Sequence, residues 1–523
     1  MKTKTPPAVK RTVAKPSVRT KIFAIEPLAR ELELQRAKGK KIVHCHGVFD
    51  LLHVGHIRHF TEAKAMGDLL VVTLTQDRHV NKGPHRPAFP QDLRAEVIAA
   101  LDSVDYVAIN DWPTAVNAIK LLKPDVYAKG PDYKDAAKDV TGGIKTEEDA
   151  VRSVGGEIRF TEDITFSSSK LLNRHMPQFD GPVAGYLERL RQRYTGGDIA
   201  RFVDGLRKLK VLVVGDTILD EYVFCEAMGK SSKEAILALQ YLSQETHAGG
   251  SLAIANHLAE FCDKVDLITY LGAKQTKEDF VRSNLKPNVS PVFVYKTDSP
   301  TIVKRRFVQR FNVAKIIEIY EMNDAPLEGR EEEEFCESLN NRLADYDVVL
   351  AADFGHGLIG PRAVELLSKK SRFLSVMTQI NAANIGFHTI SKYPRADYIC
   401  IQEGELRLDH RNRRDDLKAL TKNLAQRLCA ATVMVTRGSS GTMIYNESSG
   451  ISECPAFAMK VVDRIGAGDA VLAMTSLGAA AKLPADVIGF LGNLAGAQAV
   501  TIIGNSASIS RVALLKSAEA LLK

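Results

Sequence analysis

The sequence predicts an α/β protein made of two successive units, each a mostly parallel sheet with helices on both faces. Three observations predict this. Short apolar runs alternate with helical runs twice, from Lys41 onward and again from Val211 onward, and strand–helix alternation implies a parallel sheet. Met176-Pro177-Gln178-Phe179-Asp180-Gly181-Pro182, between the two series, has the composition of a linker. A chain of 523 residues also exceeds what one ordinary core holds.

Taken in order, residues 1–25 hold Lys2, Lys4, Lys10, Arg11, Lys15, Arg19 and Lys21 with no acid, and are expected to form a disordered basic tail. Those seven charges account for the whole net charge of +7, so the rest of the chain is balanced and nucleic acid is not expected as a partner. A lead-in helix is expected at 26–38. Strands follow at 41–46, 69–74, 104–109, 125–128 and 157–161, and helices at 55–66, 91–101, 113–122 and 146–154, giving a first unit over 26–178. Residues 179–207 read as linker and helix. They include a basic helical stretch, Leu187 to Tyr194, and a second helix from near Asp198. The second unit, 208–523, opens with the strand Val211–Val214 and the turn Gly215-Asp216. The acidic run Glu331–Glu334 reads as a solvated helix face. No run approaches a membrane span. The seven cysteines are scattered without a C-x-x-C pair, which points to a reducing, cytoplasmic setting and away from a zinc ribbon.

Two stretches carry chemistry. The first is Gly47-Val48-Phe49-Asp50-Leu51-Leu52-His53-Val54-Gly55-His56, between an apolar strand and an amphipathic helix. Unpaired N–H groups and the helix dipole favour an anion there. His53 and His56, three apart, direct ring N–H groups at the same place, so a triphosphate site is expected rather than a metal site. The second is Asp463-Arg464-Ile465-Gly466-Ala467-Gly468-Asp469-Ala470, with helix-forming residues beyond. Amides of such a turn converge on phosphoryl charge, and Asp469 is placed to accept a proton from an attacking hydroxyl.

Gly47–His56 resembles the signature of the H-x-G-H nucleotidyltransferases. Lys82-Gly83-Pro84-His85-Arg86-Pro87 with Arg94, Lys129-Gly130-Pro131-Asp132-Tyr133, and Ser167-Ser168-Ser169 follow that family's further motifs in order. The resemblance implies a Rossmann-like first domain in which a sugar-phosphate oxygen attacks the α-phosphorus of a nucleoside triphosphate and pyrophosphate leaves. His53, His56 and Lys82 would then be catalytic. Gly47, Phe49, Gly55, Arg94, Lys129, Asp132, Ser167, Ser168 and Ser169 would hold the nucleotide, and Asp50 would cap the turn.

The second unit resembles the ribokinase/fructokinase-like sugar kinases. Val435-Thr436-Arg437-Gly438 matches the strand end that lines the ATP site, and Asp463 with Gly466–Asp469 matches the D-x-x-G-A-G-D signature. This implies Asp469 as catalytic base and Thr436, Gly438, Gly466, Ala467 and Gly468 as nucleotide ligands. Asp216, Asp220, Gly249 and Gly250 would face the sugar, and Asp353 and Glu405 match two further family segments. Glu405 would act on a metal indirectly, within an N-x-x-E element. Together the halves resemble the bifunctional heptose-phosphate kinases / heptose-1-phosphate nucleotidyltransferases that make ADP-heptose, with the domain order reversed. In that branch Pro300–Arg306 looks like a loop that folds over a sugar phosphate through Lys304 and Arg306, with a basic edge strand as the plainer reading.

The expected partners are a heptose-7-phosphate-like sugar phosphate and ATP, or CTP in the transfer step, with Mg²⁺ and a homodimer through the kinase half. Ala253 stands where the resemblance implies an asparagine for the sugar hydroxyls, with Asn256 three residues on, and Gln402, His356 and Asn505 also depart from the kinase pattern. The alternative is therefore a nucleotidyltransferase carrying a catalytically silent, ligand-binding kinase-like domain.

Overall fold

The computed structural model describes residues 18–80, 82, 86–131, 143–162, 179 and 181–523. The chain divides into two compact units, Met1–Gln178 and Phe179–Lys523.

The first unit is a six-stranded parallel sheet: β1 Ile22–Phe23, β2 Ile42–Gly47, β3 Leu69–Thr75, β4 Tyr106–Asn110, β5 Val126–Lys129 and β6 Glu157–Phe160, in the order β1-β4-β3-β2-β5-β6. Ile42 to Cys45 of β2 are all buried, as a central strand covered on both faces requires. Phe60, Ala63, Ala95 and Ile98 bring the helices Val54–Lys64 and Gln91–Ala99 onto one face. Leu28, Leu32, Ala118 and Leu122 bring Ile25–Ala37 and Val116–Leu122 onto the other. Strand order reverses between β2 and β5, and beyond the carboxyl ends of strands at such a point lies the usual ligand crevice.

Two expectations need correction here. The tail does not run to residue 25: a 3₁₀ turn at Val18–Lys21 leads into β1, which pairs with β4. Lys21 holds that edge by donating to the carbonyls of Leu101 and Val104 at 3.0 and 2.7 Å. The fourth helix begins at Val116 rather than 113, because the Asn110 amide donates to the carbonyls of Trp112 and Thr114 and fixes a turn there.

The second unit has two sheets. Its strands are β7 Val211–Gly215, β8 Thr217–Lys230, β9 Leu237–Gly250, β10 Val265–Lys274, β11 Val289–Pro300, β12 Ile302–Gln309, β13 Ala314–Glu321, β14 Val348–Asp353, β15 Leu374–Thr378, β16 Tyr398–Gln402, β17 Thr432–Thr436, β18 Thr442–Asn446 and β19 Gly450–Cys454. Nine form the order β11-β10-β7-β14-β15-β16-β17-β18-β19, parallel except for β18 and β19, and four form β13-β12-β8-β9. The order reverses between β7 and β14, so Asp216 and Asp353 stand at the second crevice. The helices Ala467–Ala480 and Ala485–Ala499 are buried nearly all round, which their small and apolar composition permits.

The stretch 179–207 is not a free linker. Its helices Gly181–Arg191 and Gly196–Gly205 belong to the second unit, where Tyr186 donates to the Asp486 carbonyl at 2.9 Å and Arg191 to that of Leu521 at 3.0 Å. Pro300 ends β11, and Ile302–Arg306 form neither a loop nor an edge: β12 lies inside the four-stranded sheet, between β8 and β13.

Candidate active sites

In the first unit Gly47 closes β2, and a Cβ there would come within 2.9 Å of the Phe49 ring. Phe49, at φ +47°, folds that ring back over the strand end. The ring meets Phe60 and His56 edge-on, with centroids 5.0 and 5.4 Å apart. This fixes the start of the helix Val54–Lys64, whose N-cap residue is His53. His53 and His56 stack with centroids 4.0 Å apart and planes 21° from parallel. Burial first, then the charges of His53, Lys82 and His59, hold His56 down at about 3, against a hydrogen bond to the Leu51 backbone. Burial and Lys82 lower His53 as well. Both rings are therefore neutral near pH 7 and would meet phosphate as N–H donors. Helix start, imidazole pair and Lys82 thus gather in one place.

Asp50, Arg94 and Lys129 of this unit are held by protein groups. Asp50 is buried and accepts from Arg86 at 2.9 Å and from the amides of Ala88 and Phe89 at 2.6 and 3.2 Å, tying the segment after Lys82 to the histidine turn. Arg94, expected at the nucleotide, is 2% exposed. It donates to the carbonyls of Phe89, Val48 and Thr75 and to the Asp77 carboxylate, so it ties the turn after β2 to the end of β3 and to the segment before its own helix. Lys129, at the end of β5, pairs with Glu147 at 2.6 Å. Asp132, Ser167, Ser168 and Ser169 lie outside the described residues.

In the second unit Asp469 lies in the first turn of Ala467–Ala480, after the N-cap Gly466 at φ +81°. A Cβ on Gly466 would strike the Asn505 side chain at 2.1 Å, whereas one on Gly468 would meet nothing within 4 Å, so the approach to the helix start is open there. Desolvation first, and Asp220 second, push the Asp469 carboxyl up to about 7, with Lys304 pulling the other way. A carboxylate that titrates there can take a proton near neutral pH. Lys304 is 7% exposed, with its ammonium 5.1 Å above the Tyr320 ring. Arg306 is occupied by Asp220 at 2.5 Å and Glu318 at 2.7 Å. Thr436 ends β17, and Gly438 follows in a short turn at φ +58°.

On the sugar side, Asp216, Gly249 and Gly250 lie against protein groups. Asp216 is fully buried and accepts from the amides of Phe354, His356 and Leu358, so it holds the turn after β14. The glycine pair leaves room for protein: a Cβ on Gly249 would meet the Asp220 carboxylate at 2.1 Å, and one on Gly250 the Asp216 carbonyl at 2.7 Å. Asn256 does not stand in for the asparagine missing at Ala253, because its amide bonds the backbone of Asn284 and Lys286. Gln402 and Glu405 form a capping box, and Glu405 accepts from the amides of Ile380 and Gln402 at 3.0 and 3.1 Å. His356 is fully buried, its pKa lowered to about 3 by burial first and then by Lys304. Sequence reasoning missed Lys315, which reaches Asp463 at 2.5 Å from 148 residues away, a pairing with no signature along the chain.

Among the described residues no helix is long and apolar enough to cross a membrane. Residues 44–174 match the cytidylyltransferase-like family model. A stretch of 148 residues is 43% identical to the bifunctional protein HldE of Geobacter metallireducens, covering 28% of this chain and 28% of that one. Another of 136 residues is 46% identical to the HldE of Aliarcobacter butzleri, covering 25% and 28%. The chain thus spans under a third of the length of the curated relatives it matches. The expectation of a reversed domain order is not upheld: the family matches fix only the order along this chain, cytidylyltransferase-like first and kinase second. Phosphofructokinase-2 from Escherichia coli in complex with potassium shares the fold of the second unit, at TM-score 0.50 and 16% identity over 61% of this chain and all of that one. The second unit is accordingly a ribokinase-like α/β domain, and the first a Rossmann-like, nucleotidyltransferase-like one. The model of the pfkB carbohydrate kinases matches residues 208–511, more than half of the sequence, and the chain belongs to that family.

Proposed function

We propose that the protein makes a nucleotide-activated sugar in two steps. The second unit phosphorylates a heptose-7-phosphate-like sugar phosphate at its anomeric hydroxyl. The hydroxyl oxygen bonds to the γ-phosphorus of ATP, the bond to ADP breaks, and Asp469 receives the hydroxyl proton. The amides of Gly466–Gly468 face the transferring charge, and Lys304 stands beside Asp469 and Asp220 to meet an anionic substrate. The first unit joins the resulting sugar 1-phosphate to a nucleotide, ATP or CTP. A phosphate oxygen attacks the α-phosphorus and pyrophosphate leaves, with His53, His56 and Lys82 around the polyphosphate. Positioning and charge do most of this work.

The observation that carries this reading is that Asp469, raised to about 7, sits at an open glycine-rich helix start. Mg²⁺ would lower the charge of the polyphosphate. With Glu405 occupied by amides, and no group of three metal-ligating side chains among the described residues, the ion would be carried mainly by the nucleotide. A homodimer through the four-stranded sheet accounts for its exposed Ile317, Ile319, Leu237 and Tyr241.

The engagement of Asn256 elsewhere favours a second reading, in which the kinase-like unit binds a ligand without turnover. Mass-spectrometric identification of products from mixed nucleoside triphosphates, offered first with sugar phosphates and then with sugar 1-phosphates, tests both. A nucleotide sugar formed from the first set supports two active units. One formed only from the second set supports the silent kinase, and none from either overturns the reading.

A further inference from the structure

Asp463 opens the glycine-rich turn, and its carboxylate is enclosed, the residue being 2% exposed. Four donors reach it from four places. They are the Tyr222 hydroxyl on β8 at 2.7 Å, the amides of Gly504 and Ile465 at 3.0 and 3.1 Å, and the Lys315 ammonium on β13 at 2.5 Å. Burial alone would raise its pKa. The hydrogen bonds from Lys315, Tyr222 and the two amides outweigh that and hold it below the ordinary carboxylate value, so the group is an anion.

An anion three residues ahead of Gly466 opposes the purpose of the turn. The start of the helix Ala467–Ala480 attracts negative charge, and a fixed carboxylate beside it repels a polyphosphate coming to the same amides. Of the four donors only Lys315 carries a compensating charge. Arg306 also lies 5.8 Å from the Tyr222 ring centroid, but Asp220 and Glu318 neutralise it. Lys315 sits on an outer strand, opposite Val308 of β12, the strand that presents Lys304 to Asp469. Its side chain is one-third exposed, so the contact can open without unpacking a core.

We propose that Lys315 is a positioning residue for the nucleotide: by cancelling the charge of Asp463 it makes the Gly466–Gly468 turn receptive to a triphosphate while β13 lies against it. The sheet that carries Lys304 would thereby be coupled to nucleotide binding. The inference rests on the kinase reading above.

Hydrogen–deuterium exchange of the full chain, titrated with MgATP and read in peptides spanning 463–470, tests it at this turn alone. The wild-type turn gains protection with ATP. Lys315→Met raises the half-protecting concentration roughly tenfold, the scale of one uncompensated charge near a helix start. Lys315→Arg stays close to wild type, and Lys315→Met combined with Asp463→Asn recovers most of the loss. An unchanged half-point in Lys315→Met overturns the proposal, as does a double variant no better than the single one. If Lys315→Met does not fold, Lys315→Gln, which keeps a donor without charge, must show the same shift, and a wild-type half-point there overturns the idea equally. A wild-type turn that ATP never protects removes the kinase reading itself, and this inference with it.

Discussion

The guanidinium of Arg306 lies 2.5 Å from the Asp220 carboxylate and reaches Glu318 with its other terminal nitrogen at 2.7 Å. Arg306, expected at the phosphate of the sugar, and Asp220, expected at the sugar itself, therefore neutralise each other, and Lys304, two positions away on the same face of β12, is the cation beside Asp469. Lys304→Met is expected to raise KM for the sugar phosphate roughly tenfold or more with little change in melting temperature. Arg306→Met removes the direct ion-pair partner of the buried Asp220 carboxylate, and is expected to cost about 3–5 kcal/mol of stability. Steady-state kinetics and thermal melts of the two variants separate ligand from scaffold. A Lys304→Met enzyme with unchanged KM would mean that the anion is held elsewhere.

If Asp469 is the base of the proposed phosphoryl transfer, it sets the pH dependence of that step. Its carboxyl is pushed up to about 7, so it is mostly protonated at pH 6 and mostly ionised at pH 8. Kinase turnover should thus rise through about pH 7 as the proton leaves. Asp469→Asn should abolish ADP formation, while pyrophosphate release from a supplied sugar 1-phosphate continues. Loss of both activities would show that the two units do not divide the work as proposed.

Arg94 separates a motif match from a role. Its guanidinium is enclosed by three carbonyls and Asp77. Arg94→Ala would leave buried acceptors unpaired at about 1–3 kcal/mol each for the most enclosed. The expected result is a lower melting temperature with KM for the nucleoside triphosphate little changed at temperatures where the fold persists. A large KM effect with a normal melt would return Arg94 to the nucleotide.

How much of this was legible follows from sequence distance. The histidine turn could be read because its parts lie within ten residues: the strand end, Phe49, the N-cap and both imidazoles are one local design. The glycine turn before Asp469 was legible for the same reason. What could not be read was which polar side chains face each other across the fold. Arg94 and Asp216 carry family motifs, yet the groups that occupy them come from Val48, Thr75 and the turn after β14. Pro300–Arg306 looks like a loop over a sugar phosphate only through the family resemblance, and its basic residues suit either that or an edge strand. Pairing with β8 and β13 on either side makes Ile302–Arg306 part of an inner strand, and no local pattern announces two partners.

The exposed apolar residues of the four-stranded sheet give a test of assembly. Ile317 and Ile319 on β13 are 53% and 46% exposed, and Tyr241 on β9 is 62% exposed. Lone exposed apolar side chains are ordinary, but runs of them along strands mark an interface. Sedimentation velocity should show a dimer for the native chain and a monomer for Ile317→Asp combined with Tyr241→Lys. A native chain that sediments as a monomer at micromolar concentration sinks the dimer.

His56 allows the sharpest test of the first unit. Burial, then His53, Lys82 and His59, hold its pKa at about 3, so the ring is neutral throughout the working pH range. If it stabilises the triphosphate as a neutral N–H donor, its contribution does not change as protons are added or removed near pH 7. The rate of pyrophosphate release should then be flat between about pH 6 and 9 as far as this ring is concerned. His56→Ala should lower that rate by roughly two to three orders of magnitude, the usual loss for one donor to developing charge. His56→Asn, which keeps a neutral N–H, should lose less. The sign matters: a rate that falls as pH rises through about 6.5 would make the imidazolium the active form. It would require the bound polyphosphate to lift this pKa by more than three units against the burial and the Lys82 charge that now lower it.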